Sequence, residues 1–165
     1  MRITRLDLKR VVRVALAEAA ADSEPIVFTN DLDPSMNVII VYPEDPRYDQ
    51  VAPVFDQKGH AFLAREDIMV VDGAALSEPW FTEDHLTVIQ AHEFGHKLAG
   101  HQKNERAAHN DPQLEREADW LGFNILRHRG MHSAADLHEE EYRSRYGSLP
   151  GQDDYLMTDL ADLVG

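Results

Sequence analysis

Residues 91–101 read AHEFGHKLAGH, with two histidines four apart and a glutamate directly after the first. Val88, Ala91, Gly95 and Leu98 recur at helical spacing, so the segment reads as a helix with one buried stripe. Thr82 suits its N-cap, Glu83 and Asp84 suit its first turn, and it should end near Gly100. Residues four apart on a helix stand one above the other on the same face. His92 and His96 therefore project side by side, where two imidazole nitrogens can meet one metal ion. Glu93 lies about 100° further round the helix. That places it to reach a water at the ion rather than to bind the ion. Two ligands and a general base are the chemistry behind His-Glu-x-x-His. Gly95 omits a side chain between the ligands and lets another element pack closely.

A catalytic zinc takes three protein ligands and keeps a fourth position for water. Downstream candidates for the third ligand are His101, His109, Asp111, Glu115 and Glu117. Asp111 followed by Pro112 is a strong helix start, so a second helix should run from there to about Arg129 and stop at Gly130. Glu115 lies in its first turns, and Asp119 follows four residues later on the same face. Such an acid can hydrogen-bond a ligating histidine and hold its tautomer. Leu114, Ala118, Leu121 and Ile125 form the neighbouring stripe that packs this helix. Glu115 is thus the favoured third ligand. Glu117 falls on a different face, as a solvated charge would.

His92-Glu93-x-x-His96 followed by Glu115-x-x-x-Asp119 resembles the gluzincin pattern of zinc metallopeptidases, of which thermolysin is the familiar relative. The 18 residues between His96 and Glu115 resemble that family's short spacing. The small size and the EREAD segment, residues 115–119, also resemble minimal gluzincins and the ImmA/IrrE-type peptidases. Asp119 stands where ImmA-like sequences usually carry asparagine. The resemblance implies an α+β domain: a small twisted, mostly antiparallel sheet packed on an active-site helix and a glutamate helix. It also implies one catalytic zinc ion on His92, His96 and Glu115, Asp119 behind a histidine ligand, and Glu93 activating a zinc-bound water. The activity implied is hydrolysis of peptide bonds in a protein or peptide. His85, His101 and Tyr142 are candidates for the further donor that stabilises the oxyanion.

The rest of the chain fits a small catalytic domain. Its 165 residues suit one core, here residues 1–149, with an acidic tail at 150–165. The tail spaces Leu156, Leu160 and Leu163 for a short amphipathic turn, which could fold over a cleft and keep an enzyme latent. Residues 3–20 read as an N-terminal helix with one apolar face. Ile26–Thr29, Val38–Tyr42, Ala61–Ala64 and a run from Ile68 read as strands, with PVFDQKGH, residues 53–60, as loop. The run Ile68–Val71 would suit an edge strand that holds an extended peptide. Ser133 suits the cap of a last helix ending near Gly147. His60, His109, His128, His132 and His138 read as surface residues.

Composition narrows the classes. There is no cysteine, which excludes thiolate ligands and disulfides and fits a cytoplasmic protein. The N-terminus lacks the apolar core of a signal peptide, and no run is long enough to span a bilayer. A net charge of -14 argues against a general nucleic-acid binder. Two alternatives stand beside the peptidase. One is a three-histidine hydrolase using His101, although Gly100 and His101 each miss the metzincin spacing by one residue. The other is a catalytically silent zinc-binding interaction protein.

Overall fold

β-branched runs pair where turn chemistry folds them back. A computed structural model describes residues 26–65, 67–101 and 111–147. The N-terminal helix and the acidic tail expected from the sequence lie outside the described residues, as does His109. The fold is α+β. In chain order the elements are β1 (Ile26–Thr29), β2 (Asn37–Val41), α1 (Tyr48–Lys58), β3 (Ala61–Arg65), β4 (Ile68–Asp72), α2 (Gly73–Leu76), α3 (Glu83–Leu98), α4 (Pro112–His128) and α5 (His132–Tyr146). They divide between two compact units. One comprises the described residues of Met1–Thr29 with Met36–Glu83, and the other Asn30–Ser35 with those of Asp84–Gly165.

The first unit is built on a four-stranded sheet in the order β1-β2-β4-β3. β1 and β3 run antiparallel to their neighbours, while β2 and β4 are parallel, with Val38 opposite Met69 and Ile40 opposite Val71. A parallel pair needs a crossover, and α1 with β3 supplies it. β4 therefore lies inside the sheet with partners on both sides. The expectation that Ile68–Val71 forms a free edge is corrected, because both rows of its backbone groups are already used.

The segment expected as loop at residues 53–60 is corrected as well. Residues 53–58 are the second half of α1, and Pro53 sits inside the helix. Proline is a helix breaker by propensity, yet Tyr48, Val51 and Phe55 recur at helical spacing. They pack against Val41, Val70, Ile39, Phe62 and Ile68 on one face of the sheet. Tertiary burial overrides the local signal. Tyr48 also donates its hydroxyl to Asp72 Oδ1 at 3.0 Å. The opposite face carries Val38, Ile40, Met69 and Val71, each 1% exposed or less.

The second unit gathers the three long helices. α4 begins as its sequence predicts, with the Asp111 side chain accepting from the Gln113 backbone N–H at 3.0 Å and Pro112 following. Its stripe of Leu114, Ala118, Leu121 and Ile125 is buried. α5 starts without the expected Ser133 cap, since Met131 takes the N-cap position. The Ser133 hydroxyl instead donates to Asp84 Oδ2 at 2.6 Å and ties the start of α5 to the start of α3. Lys97, near the end of α3, donates to Asp33 and to Ser35 Oγ, which fastens the Asn30–Ser35 turn to this helix.

Candidate metal centre

The site begins with how closely α3 and α4 approach. A Cβ built on Gly95 would meet the Ala118 carbonyl oxygen at 2.5 Å, and one on Gly122 would meet the Ala91 backbone at 3.0 Å. No side chain fits there, so the glycines let the helix backbones touch. That approach brings the histidines of α3 to the carboxylates of α4.

Three ligand atoms converge. His92 Nε2 and His96 Nε2 face each other at 3.0 Å, and Glu115 Oε2 lies 3.3 Å from the first and 3.5 Å from the second. Atoms bound about 2.0–2.1 Å from a tetrahedral ion stand about 3.3–3.4 Å apart. The three separations bracket that edge, and this group can hold a metal ion. Among the described residues it is the one group of three or more such side chains so placed.

Asp119 stands behind His92. Its Oδ1 takes His92 Nδ1 at 2.7 Å and His138 Nε2 at 3.4 Å, while Oδ2 accepts from Arg145 at 2.8 Å and the Tyr146 hydroxyl at 2.8 Å. Asp119 is 5% exposed and His138 only 1%. The expectation of a surface His138 is therefore corrected, since the ring is buried against the carboxylate that also meets His92. His138, Tyr142, Arg145 and Tyr146 share one face of α5 at helical spacing. That polar and aromatic stripe was the signal available in the sequence for the missed residues Arg145 and Tyr146.

Behind His96 the arrangement differs. His96 Nδ1 lies 2.8 Å from His101 Nδ1, and His101 Nε2 lies 3.3 Å from Glu117 Oε2. His101 thus meets the Nδ1 edge of His96, not the Nε2 atoms that converge with Glu115. Glu117 holds His101 rather than standing as a lone solvated charge. Tyr142 accepts from Arg116 Nε at 2.8 Å and is buried. His85 is half-buried and outside the convergent group. Glu93 is 6% exposed.

The electrostatics follow from these contacts. Burial opposes charge on His92, but the hydrogen-bonded carboxylates of Asp119 and Glu115 outweigh it and hold the metal-free imidazole protonated up to about 10. Burial would raise the carboxyls, yet His92 and His96 hold Glu115 well below the usual carboxylate range. His138, His92 and Arg145 do the same for Asp119. Burial and the proximity of His96 push His101 down, towards the neutral ring. Burial and the Asp119 charge keep Tyr146 protonated far above its ordinary range.

No protein-family model matches the chain, and comparison with curated proteins and with solved structures finds no significant match. Among the described residues, no helix is long and apolar enough to cross a membrane.

Proposed function

We propose that this chain is a cytoplasmic zinc-dependent endopeptidase, with His92, His96 and Glu115 as ligands and Glu93 as general base. Its support is the convergence of two Nε2 atoms and one carboxylate oxygen with every pair within 3.5 Å. Two imidazoles and one carboxylate suit zinc, and three protein ligands leave a position for water. The chain's lack of cysteine favours the cytoplasm.

A bound zinc ion supplies Lewis acidity, which makes a water acidic near neutral pH and draws charge from a carbonyl oxygen. The protein's groups do the rest. Asp119 accepts the Nδ1 proton of His92 and keeps its Nε2 lone pair free for a ligand bond. Glu93, one residue from His92 and shielded from solvent, takes a proton from water. The hydroxide adds to the peptide carbonyl carbon. The carbon–nitrogen bond then breaks, and Glu93 returns the proton to the leaving amine.

The test is zinc content of the protein and its Glu115→Ala variant, purified in parallel without chelator. One ion per chain in the first and strong loss in the second are expected. Glu93→Gln should keep its zinc and lose roughly a hundred- to ten-thousand-fold in hydrolysis of a pool of unfolded protein substrates. Hydrolysis that survives in Glu93→Gln rules out its role as base. No zinc in the wild type, even after reconstitution, rules out the whole assignment.

A further inference from the structure

The two histidine ligands are backed by different partners. His92 meets a buried carboxylate directly at 2.7 Å. His96 meets another imidazole, and the carboxylate comes one step further out. We propose that His101, supported by Glu117, is a positioning residue that keeps the proton of His96 on Nδ1 and so presents its Nε2 as a metal ligand. The proposal rests on the metal site described above and concerns how that site is held.

The hydrogen-bond chemistry admits one proton order. A hydrogen bond between two ring nitrogens needs one donor and one acceptor. His96 can ligate through Nε2 only when that atom is bare, so the neutral ring carries its proton on Nδ1. That proton points at His101 Nδ1, 2.8 Å away, which must then be the acceptor. A neutral His101 with a bare Nδ1 carries its own proton on Nε2. The partner there is Glu117 Oε2 at 3.3 Å, a carboxylate that only accepts. Every proton in the chain Glu117–His101–His96 therefore has one place.

The reverse order fails. If His101 donated from Nδ1, His96 would carry its proton on Nε2. That proton would sit in the 3.0 Å gap facing His92 Nε2 and block the ligand position. The rings meet edge to face, with centroids 5.0 Å apart and planes at 68°. This is hydrogen-bonding geometry rather than stacking. His101 therefore serves His96 as Asp119 serves His92, and its role is not that of a third ligand.

The experiment compares the full-length protein with His101→Ala, His101→Asn, Glu117→Gln and Glu115→Ala. Zn2+ or Co2+ affinity is read by chelator competition, and the folding midpoint of each metal-free protein is read alongside. Loss of a residue orienting a ligand weakens metal binding about 10- to 100-fold, so His101→Ala should fall in that range with little change in metal-free folding. His101→Asn, whose side-chain oxygen can accept the His96 proton, should recover most of the loss. Glu117→Gln keeps an acceptor but loses the charge, so it should weaken metal binding less than His101→Ala does. Wild-type affinity in His101→Ala overturns the proposal, as does an equal loss in the alanine and asparagine variants. If His101→Ala does not fold, long-range 1H–15N spectra of the wild type decide. They should show His96 protonated on Nδ1 and His101 on Nε2, and the opposite tautomers overturn the proposal. A wild type that binds neither ion defeats the metal site itself. Tight binding by the wild type with an unchanged His101→Ala defeats only the positioning role.

Discussion

A single carboxylate organises one side of the site. Asp119 meets His92 and His138 on one oxygen and Arg145 and Tyr146 on the other. Removing one partner of a buried charged network leaves the others desolvated and unpaired, which costs about 3–5 kcal/mol. Asp119→Ala should lose about that much in urea unfolding of the metal-free protein. Asp119→Asn keeps the shape but not the charge, so it should fold better and still bind zinc about 10- to 100-fold more weakly. Asp119 could be found in the sequence because it follows Glu115 by one helical turn. Its partners on α5 form a stripe that is legible in residues 138–146, but nothing in that local pattern names the carboxylate they meet. A histidine among charged residues reads as surface until the packing buries it.

At the level of elements, the decisive feature is the backbone contact of α3 with α4. Gly95 was legible as a small residue between two ligands, but not the atom it makes room for, the Ala118 carbonyl. Gly95→Ala cannot be absorbed by a side-chain rotation, because the obstacle is backbone. Overpacking of this kind costs about 1–3 kcal/mol. The variant should also lose zinc affinity as Glu115 is pushed away from the histidines. Equilibrium unfolding and zinc titration of one sample check both. Helix α1 gives the opposite lesson. Pro53 costs its helix one hydrogen bond, a penalty of about 3 kcal/mol, offset by up to about 1 kcal/mol through restriction of the unfolded chain. Pro53→Ala should therefore stabilise the protein by about 2 kcal/mol, visible as a higher urea midpoint.

For the whole molecule, the candidate metal site couples stability to pH. The folded pKa of His92 is raised from 6.5 to about 10 without metal. The stability it contributes is fully present below pH 6.5 and is lost as pH rises towards 10. The depressed Glu115 and Asp119 contribute stability that is present above their ordinary values of 4.5 and 3.8 and lost as pH falls below them. These are two sides of one set of contacts. For this cluster the metal-free protein should be most stable between about pH 4.5 and 6.5. Zinc must displace the His92 proton, so its affinity should rise with pH through the alkaline window. At about a thousand times its Kd, zinc should add about 4 kcal/mol. Thermal unfolding across pH 4–10, with and without zinc, measures both effects.

The sequence by itself determined α3, α4 and α5 and the shared face of His92 and His96, because helical spacing is a local property. It determined that His92 and His96 share a face, that Asp111 and Pro112 start α4, and that Glu115 and Asp119 lie one turn apart. It also marked four strands, since β-branched runs between turn residues are local signals too. Tertiary structure decided what depends on distant partners. It set β4 inside the sheet, because pairing with both β2 and β3 is a long-range choice. It kept α1 helical through Pro53, because apolar burial against the sheet outweighs one lost hydrogen bond. It also set His101 against the Nδ1 edge of His96 and buried His138 on Asp119. Which nitrogen meets which oxygen is settled only when helices from different parts of the chain close to within a hydrogen bond.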